Sequence, residues 1–130
     1  MVQADALHCV CSVVEEIFEK ERGSLSGRTL LMQDLPCESI DLLEIAARIS
    51  QAAGREVNDE ALFLKSLRSR LAEEPVSEAE SLLAREFPWL SRERCCEILE
   101  EVRTPLPFLR LQDMADYLAF LQNRKPSCSV

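Results

Sequence analysis

One histidine, three glycines, one tryptophan and one tyrosine are spread over 130 residues. Each shortage closes off a class of chemistry. His8 is the only imidazole, so no histidine-based metal set can form, and nothing in the sequence marks it as a base beside a serine or cysteine nucleophile. There is no glycine-rich loop of the kind that cradles phosphates. Aromatic residues make up 5% of the chain, so its core must be mostly aliphatic. No stretch has the length of a membrane span, and no basic region followed by an apolar run marks a secretory leader. Strand-like alternation, internal repeats and low-complexity tracts are also missing. Carboxylates are plentiful, but none forms a recognisable acid–base pair.

What is present points to a single all-α domain. Hydrophobic residues account for 47% of the chain, and long stretches are rich in Leu, Ala, Glu and Arg, all good helix formers. The net charge of −8 is concentrated in the first half. Residues 1–64 hold 12 acids and 5 bases, while 65–130 hold 11 and 10. A nucleic-acid partner needs a basic face, and the first half offers none. Lys65, Arg68 and Arg70 lie close together, but acids flank them. The acidic half should instead attract basic protein surfaces. The six cysteines are Cys9, Cys11, Cys37, Cys95, Cys96 and Cys128. Cys9-x-Cys11 and the vicinal Cys95-Cys96 match no zinc spacing, so the cysteines are expected to be reduced, buried or half-buried small hydrophobes of a cytoplasmic, monomeric protein.

Apolar periodicity and punctuation divide the chain. Leu7, Val10, Val14, Ile17 and Phe18 share one face of a helix over 3–21, stopped by Gly23, with Lys20 and Arg22 at its negative end. Residues 23–38 read as a loop whose Leu25, Leu30, Leu31 and Met32 should pack over the core. A second helix spans 39–53 and ends at Gly54. Asn58 caps a third segment over 59–73, with Leu64, Leu67 and Leu71 on one side. Ser77-x-x-Glu80 reads as a capping box for a helix reaching residue 86. Ser91 caps the next helix, and a last one covers 109–122, leaving a frayed tail over 123–130. Phe87-Pro88-Trp89-Leu90 places large apolar groups at a bend. They can cover the bundle, lengthen a groove or dock a partner, and plain packing is the simplest reading.

The most informative stretch is Asp34-Leu35-Pro36-Cys37-Glu38-Ser39-Ile40-Asp41-Leu42-Leu43-Glu44-Ile45. Leu42, Ile45, Ala46 and Ile49 form the core face of the second helix. Ile40, Leu43 and Ala47 make a second apolar line, with Glu38, Asp41 and Glu44 beside it. Such a line, edged with carboxylates, is either a docking surface for a greasy patch ringed by bases or a face buried by the downstream helices. Ser39 is either an N-cap or a hydroxyl that another enzyme modifies.

The stretch from Asp34 to Ile45 resembles the attachment motif of acyl carrier proteins. Gly54-Arg55-Glu56-Val57-Asn58-Asp59-Glu60 resembles that family's loop into its third helix, and 108–118 its last helix. The family usually has Gly and an apolar residue where Pro36 and Cys37 stand, and Asp in place of Glu38. The resemblance implies a four-helix bundle over 3–65 and 108–122, enlarged by about two helices inserted over 66–107. It implies 4′-phosphopantetheine on Ser39, carrying acyl groups as thioesters for fatty-acid, polyketide or related synthesis. It also implies that Glu38, Ile40, Asp41, Leu43, Glu44 and Ala47 meet a phosphopantetheinyl transferase and acyl-processing enzymes with basic docking surfaces. Such a protein is no enzyme itself. The competing expectations are a helical adaptor that docks basic partners through the acidic face of the second helix, and a carrier-like fold that keeps only the docking.

Overall fold

Helical periodicity is realised as seven helices in the computed structural model, which describes residues 3–123. They are α1 (Gln3–Ile17), α2 (Ser39–Ala53), α3 (Asp59–Leu62), α4 (Leu67–Ala72), α5 (Val76–Glu86), α6 (Arg92–Glu101) and α7 (Leu111–Asn123). The all-α expectation holds among the described residues. The one departure is an isolated antiparallel bridge between Leu30 and Arg110. The expected frayed tail lies outside the described residues beyond Asn123, which is itself the last residue of α7.

The core is aliphatic, as the scarcity of aromatics requires. Val10 and Val14 of α1, Ile45 and Ile49 of α2, and Met114 and Leu118 of α7 are fully buried. α1 packs on both α7 and α2, α3 packs on α7, and α5 packs on α6. Polar ties fix the joints. The Tyr117 hydroxyl accepts from the Asn58 N–H at 3.1 Å, and Gln122 Nε2 donates to the Ala53 carbonyl at 2.6 Å. These bonds anchor the start of α3 and the end of α2 to the final helix.

Several boundaries differ from the sequence reading. α1 stops at Ile17, not at 21. The buried Glu15 carboxylate accepts from the N–H groups of Gly23 and Leu25, both at 3.1 Å, and so folds the chain back on the helix. Glu19 takes a positive φ of 54° in that reversal, which leaves Lys20 and Arg22 beyond the helix. The expected helix over 59–73 is two helices. Asn58 caps α3 by accepting from the Ala61 N–H, but Leu64 and Ser66 adopt φ of 50° and 64° and break the run before α4. The break lets Phe63, Leu64 and Leu67 all reach the core, and tertiary burial outweighs local helix propensity. α5 has Pro75 as its N-cap, so Ser77 lies inside the helix and no Ser77–Glu80 capping box exists. Ser91 does cap α6, accepting from the Arg94 N–H at 3.0 Å.

Of the four loop residues expected to pack over the core, Leu31 is buried, Leu25 and Leu30 are half-buried and Met32 is 40% exposed, while Leu35 is buried as well. It is stitched to the segment before α7 by Leu31 N–H to the Leu109 carbonyl and Leu111 N–H to the Thr29 carbonyl, at 3.1 and 3.0 Å. Trp89 packs edge-on against Phe87 and lies 4.9 Å from Tyr117 and 5.4 Å from Phe120 between ring centroids. The aromatic bend therefore covers the bundle.

A buried ion pair ties α6 to α7. Arg94 donates from Nε and Nη2 to the two carboxylate oxygens of Asp113, at 2.7 and 2.9 Å. It also donates to Glu101 and to the Phe108 carbonyl, both at 2.8 Å. Burial works against the Arg94 charge, but hydrogen bonds and attraction from Asp113 and Glu101 outweigh it and raise its pKa. Breaking such a pair leaves an uncompensated buried charge, which is costly.

Candidate functional site

The site begins with the question of what caps α2. Glu38 is the N-cap, with extended backbone at φ −113° and ψ 171°. Its N–H donates to Asp41 Oδ2 at 2.8 Å, and its carbonyl accepts from the N–H groups of Asp41 and Leu42. The cap is therefore made one residue before Ser39, which becomes the first helical residue. Ser39 is exposed, and no hydrogen bond among the described residues engages its hydroxyl. The N-cap reading of Ser39 is thereby corrected. The other end of α2 is equally well defined, because Gly54 closes it in the left-handed region at φ 70°.

The two apolar lines of α2 separate cleanly. Ile45, Ala46 and Ile49 are buried and Leu42 is half-buried. Ile40 and Leu43 are 71% and 61% exposed, and Ala47 is exposed beside them. The downstream helices do not cover this face. Large apolar side chains this open are the kind of feature that marks a partner surface.

The carboxylates differ in how they are held. Glu38 and Glu44 are exposed, and Asp41 is half-buried and occupied with the cap. Glu44 pairs with Arg48 at 3.1 Å, and Arg48 reaches back to Glu16 on α1 at 3.4 Å. Exposed pairs of this kind contribute little and exchange readily. Five of the six candidate docking residues thus lie on the first three turns of α2, beside Ser39, and the sixth, Glu38, is its N-cap.

Cys37, two residues before Ser39, is half-buried. Burial, with Asp41 adding to it, pushes its thiol up to about 11. Burial likewise raises Cys9, Cys11 and Cys95. These groups stay protonated near neutral pH and are poor nucleophiles. Cys96 is exposed, contrary to the expectation of a buried hydrophobe. Among the described residues, no three of His, Cys, Asp and Glu come together as a metal-binding group, and no helix is long and apolar enough to cross a membrane.

One feature near the site was not legible in the sequence. A groove of about 300 Å³ runs alongside α2, walled by Met32, Leu42, Phe63, Leu64 and Phe108, with Lys65 and Arg68 on its lining. It depends on the break between α3 and α4 and on the approach of 105–109, and neither leaves a local signal.

No protein-family model matches the chain, and no solved structure matches it. Among curated proteins, it is 33% identical over 61 residues to the acyl carrier protein of Prochlorococcus marinus (strain MIT 9515). That match takes in 47% of this chain and 76% of the relative. An all-helical fold with a well-capped second helix, together with this extent of identity, places the chain in the acyl carrier protein family.

Proposed function

We propose that the protein is an acyl carrier that holds its cargo as a thioester on 4′-phosphopantetheine attached to Ser39, in fatty-acid, polyketide or related biosynthesis. The observation that carries this reading is the free hydroxyl of Ser39 at the first position of a long, rigid helix. Because Glu38 and Asp41 complete the cap, Ser39 can be used without uncapping α2. The N-terminus of α2 also carries positive partial charge, which suits an attached phosphodiester. When bound, the arm supplies a terminal thiol for thioester exchange. The protein supplies the hydroxyl, the rigid shoulder and the docking face, and it acts as a carrier rather than a catalyst.

Attachment needs an external transferase. The Ser39 oxygen attacks phosphorus in the pyrophosphate of coenzyme A, a new O–P bond forms, and the old P–O bond breaks. The nucleotide leaves as its bisphosphate, and the transferase takes the hydroxyl proton. Glu38, Asp41 and Glu44 attract basic surfaces on that transferase and on acyl-processing enzymes, while Ile40, Leu43 and Ala47 supply the apolar contact. Long-range charge raises the encounter rate without demanding a tight complex, as a carrier with several clients requires. We regard 66–107 as an insertion into the carrier bundle.

Intact mass after incubation with coenzyme A and a broad-specificity phosphopantetheinyl transferase tests the reading. One arm should be gained by the wild type and none by Ser39→Ala. The exposed Ile40–Leu43 face also supports a second reading, an adaptor that docks basic partners without modification. In that case no mass is gained, and partner binding survives Ser39→Ala but weakens in Asp41→Lys.

A further inference from the structure

The three cations that stand close together in sequence have different fates. Arg70 forms a close pair with Glu86, through contacts of 2.6 and 2.7 Å. Lys65 lies 4.0 Å from Asp59 and sits over the Phe63 ring at 5.8 Å. Arg68 has no carboxylate partner among the described residues. Its Nη2 donates to the Leu106 carbonyl, and its guanidinium carbon lies 5.2 Å from the centroid of the Phe108 ring. Its Nε is buried and makes no hydrogen bond. A buried donor without an acceptor is unfavourable and uncommon in folded proteins. The reversal at Leu64 and Ser66, where φ is positive, leads the chain into α4, the helix that holds Arg68 in this position.

Arg68 lines the groove beside α2. The volume of the groove falls at the small end of the range for small-molecule sites. Leu42, on one wall, is one helical turn from Ser39 on the same side of α2. The groove is therefore mostly apolar, lies close to the attachment serine, and presents a cation that the protein does not neutralise. Accepting the carrier reading of Ser39, we propose that this groove takes an acyl chain whose far end is a carboxylate. The methylenes lie on Met32, Leu42, Phe63 and Phe108, and the terminal carboxylate pairs with Arg68. A methyl-ended chain would fill the same walls but leave the guanidinium as it is. A carboxylate offers the planar, two-oxygen acceptor that an arginine fork matches best.

The test compares cargo of equal length and different ends. Hexanoyl and adipoyl arms are transferred to Ser39 from their coenzyme A thioesters, and loading is verified by intact mass. Thioester cleavage by hydroxylamine is then timed in the wild type, Arg68→Lys and Arg68→Gln, each rate being divided by that of the same thioester on free pantetheine. In the wild type the adipoyl form should cleave about fivefold to tenfold more slowly than the hexanoyl form, as one charge-assisted pair predicts. Arg68→Lys should keep much of the difference and Arg68→Gln should lose it. In the wild type, 1 M salt should shrink it, a readout that stands even if a variant folds poorly. Successful loading with equal protection of the two arms overturns this proposal and leaves the carrier reading intact. Failure of the adipoyl arm alone to load overturns this proposal, and failure of both arms overturns the carrier reading as well.

Discussion

Glu38, and not Ser39, caps the helix, and this one-residue shift decides what the serine can do. A signal for it was available. Three residues after Glu38 stands Asp41, whose carboxylate returns to the N-cap N–H, whereas three residues after Ser39 stands Leu42, which has nothing to return. Serine's strong preference for N-caps masked that pattern. Cys37, next to this cap, provides a chemical readout. With its thiol pushed up to about 11, it should react with iodoacetamide at pH 8 roughly a hundredfold more slowly than an unperturbed thiol, while exposed Cys96 labels well before it. Peptide mass mapping over time measures both. The folded state holds the Cys37 proton more tightly than the unfolded chain does. Its contribution to stability is therefore complete below the ordinary thiol pKa and is lost as pH rises toward 11.

Among the elements, α2 was the most legible because both its stops are local. A capped start and a glycine in the left-handed region need no distant partner. Gly54→Ala should therefore destabilise the protein by about 1 kcal/mol, since an added Cβ meets no neighbour there but is strained at φ 70°. Urea unfolding measures this, and an unchanged midpoint would contradict the capping role. The end of α1 was not legible because Glu15 ends it by binding backbone groups eight and ten residues away. The split of α3 from α4 was hidden for a related reason. Leu64, Leu67 and Leu71 do share the core as their spacing promised, but Leu64 reaches it from the break and Leu67 and Leu71 from α4. The groove that contains Arg68 depends on that split and on the approach of 105–109.

Across the whole molecule, the all-α class followed from composition, while the way 66–107 joins the rest did not. The joint is the bidentate pair of Arg94 and Asp113, which lie on different helices with no periodic relation. Charged residues are rarely buried, and nothing in the sequence around either residue marks it as interior. Asp113→Asn should lower global stability by about 3 kcal/mol, because Arg94 is left without its buried counter-charge. Chemical unfolding followed by circular dichroism and by Trp89 fluorescence should show one shared transition moved to lower denaturant, Trp89 lying between Phe87 and α7. A loss confined to the fluorescence signal would mean that 66–107 unfolds on its own. The stitch between Thr29–Leu31 and Leu109–Leu111 has a further consequence. It ties off a lasso whose neck is fastened just ahead of Ser39 and whose noose holds every helix from α2 to α6. Because closure entropy grows only with the logarithm of contour length, such a noose can be lengthened at small thermodynamic cost while its neck stays put, so additional helices can accumulate in the lasso without displacing Ser39.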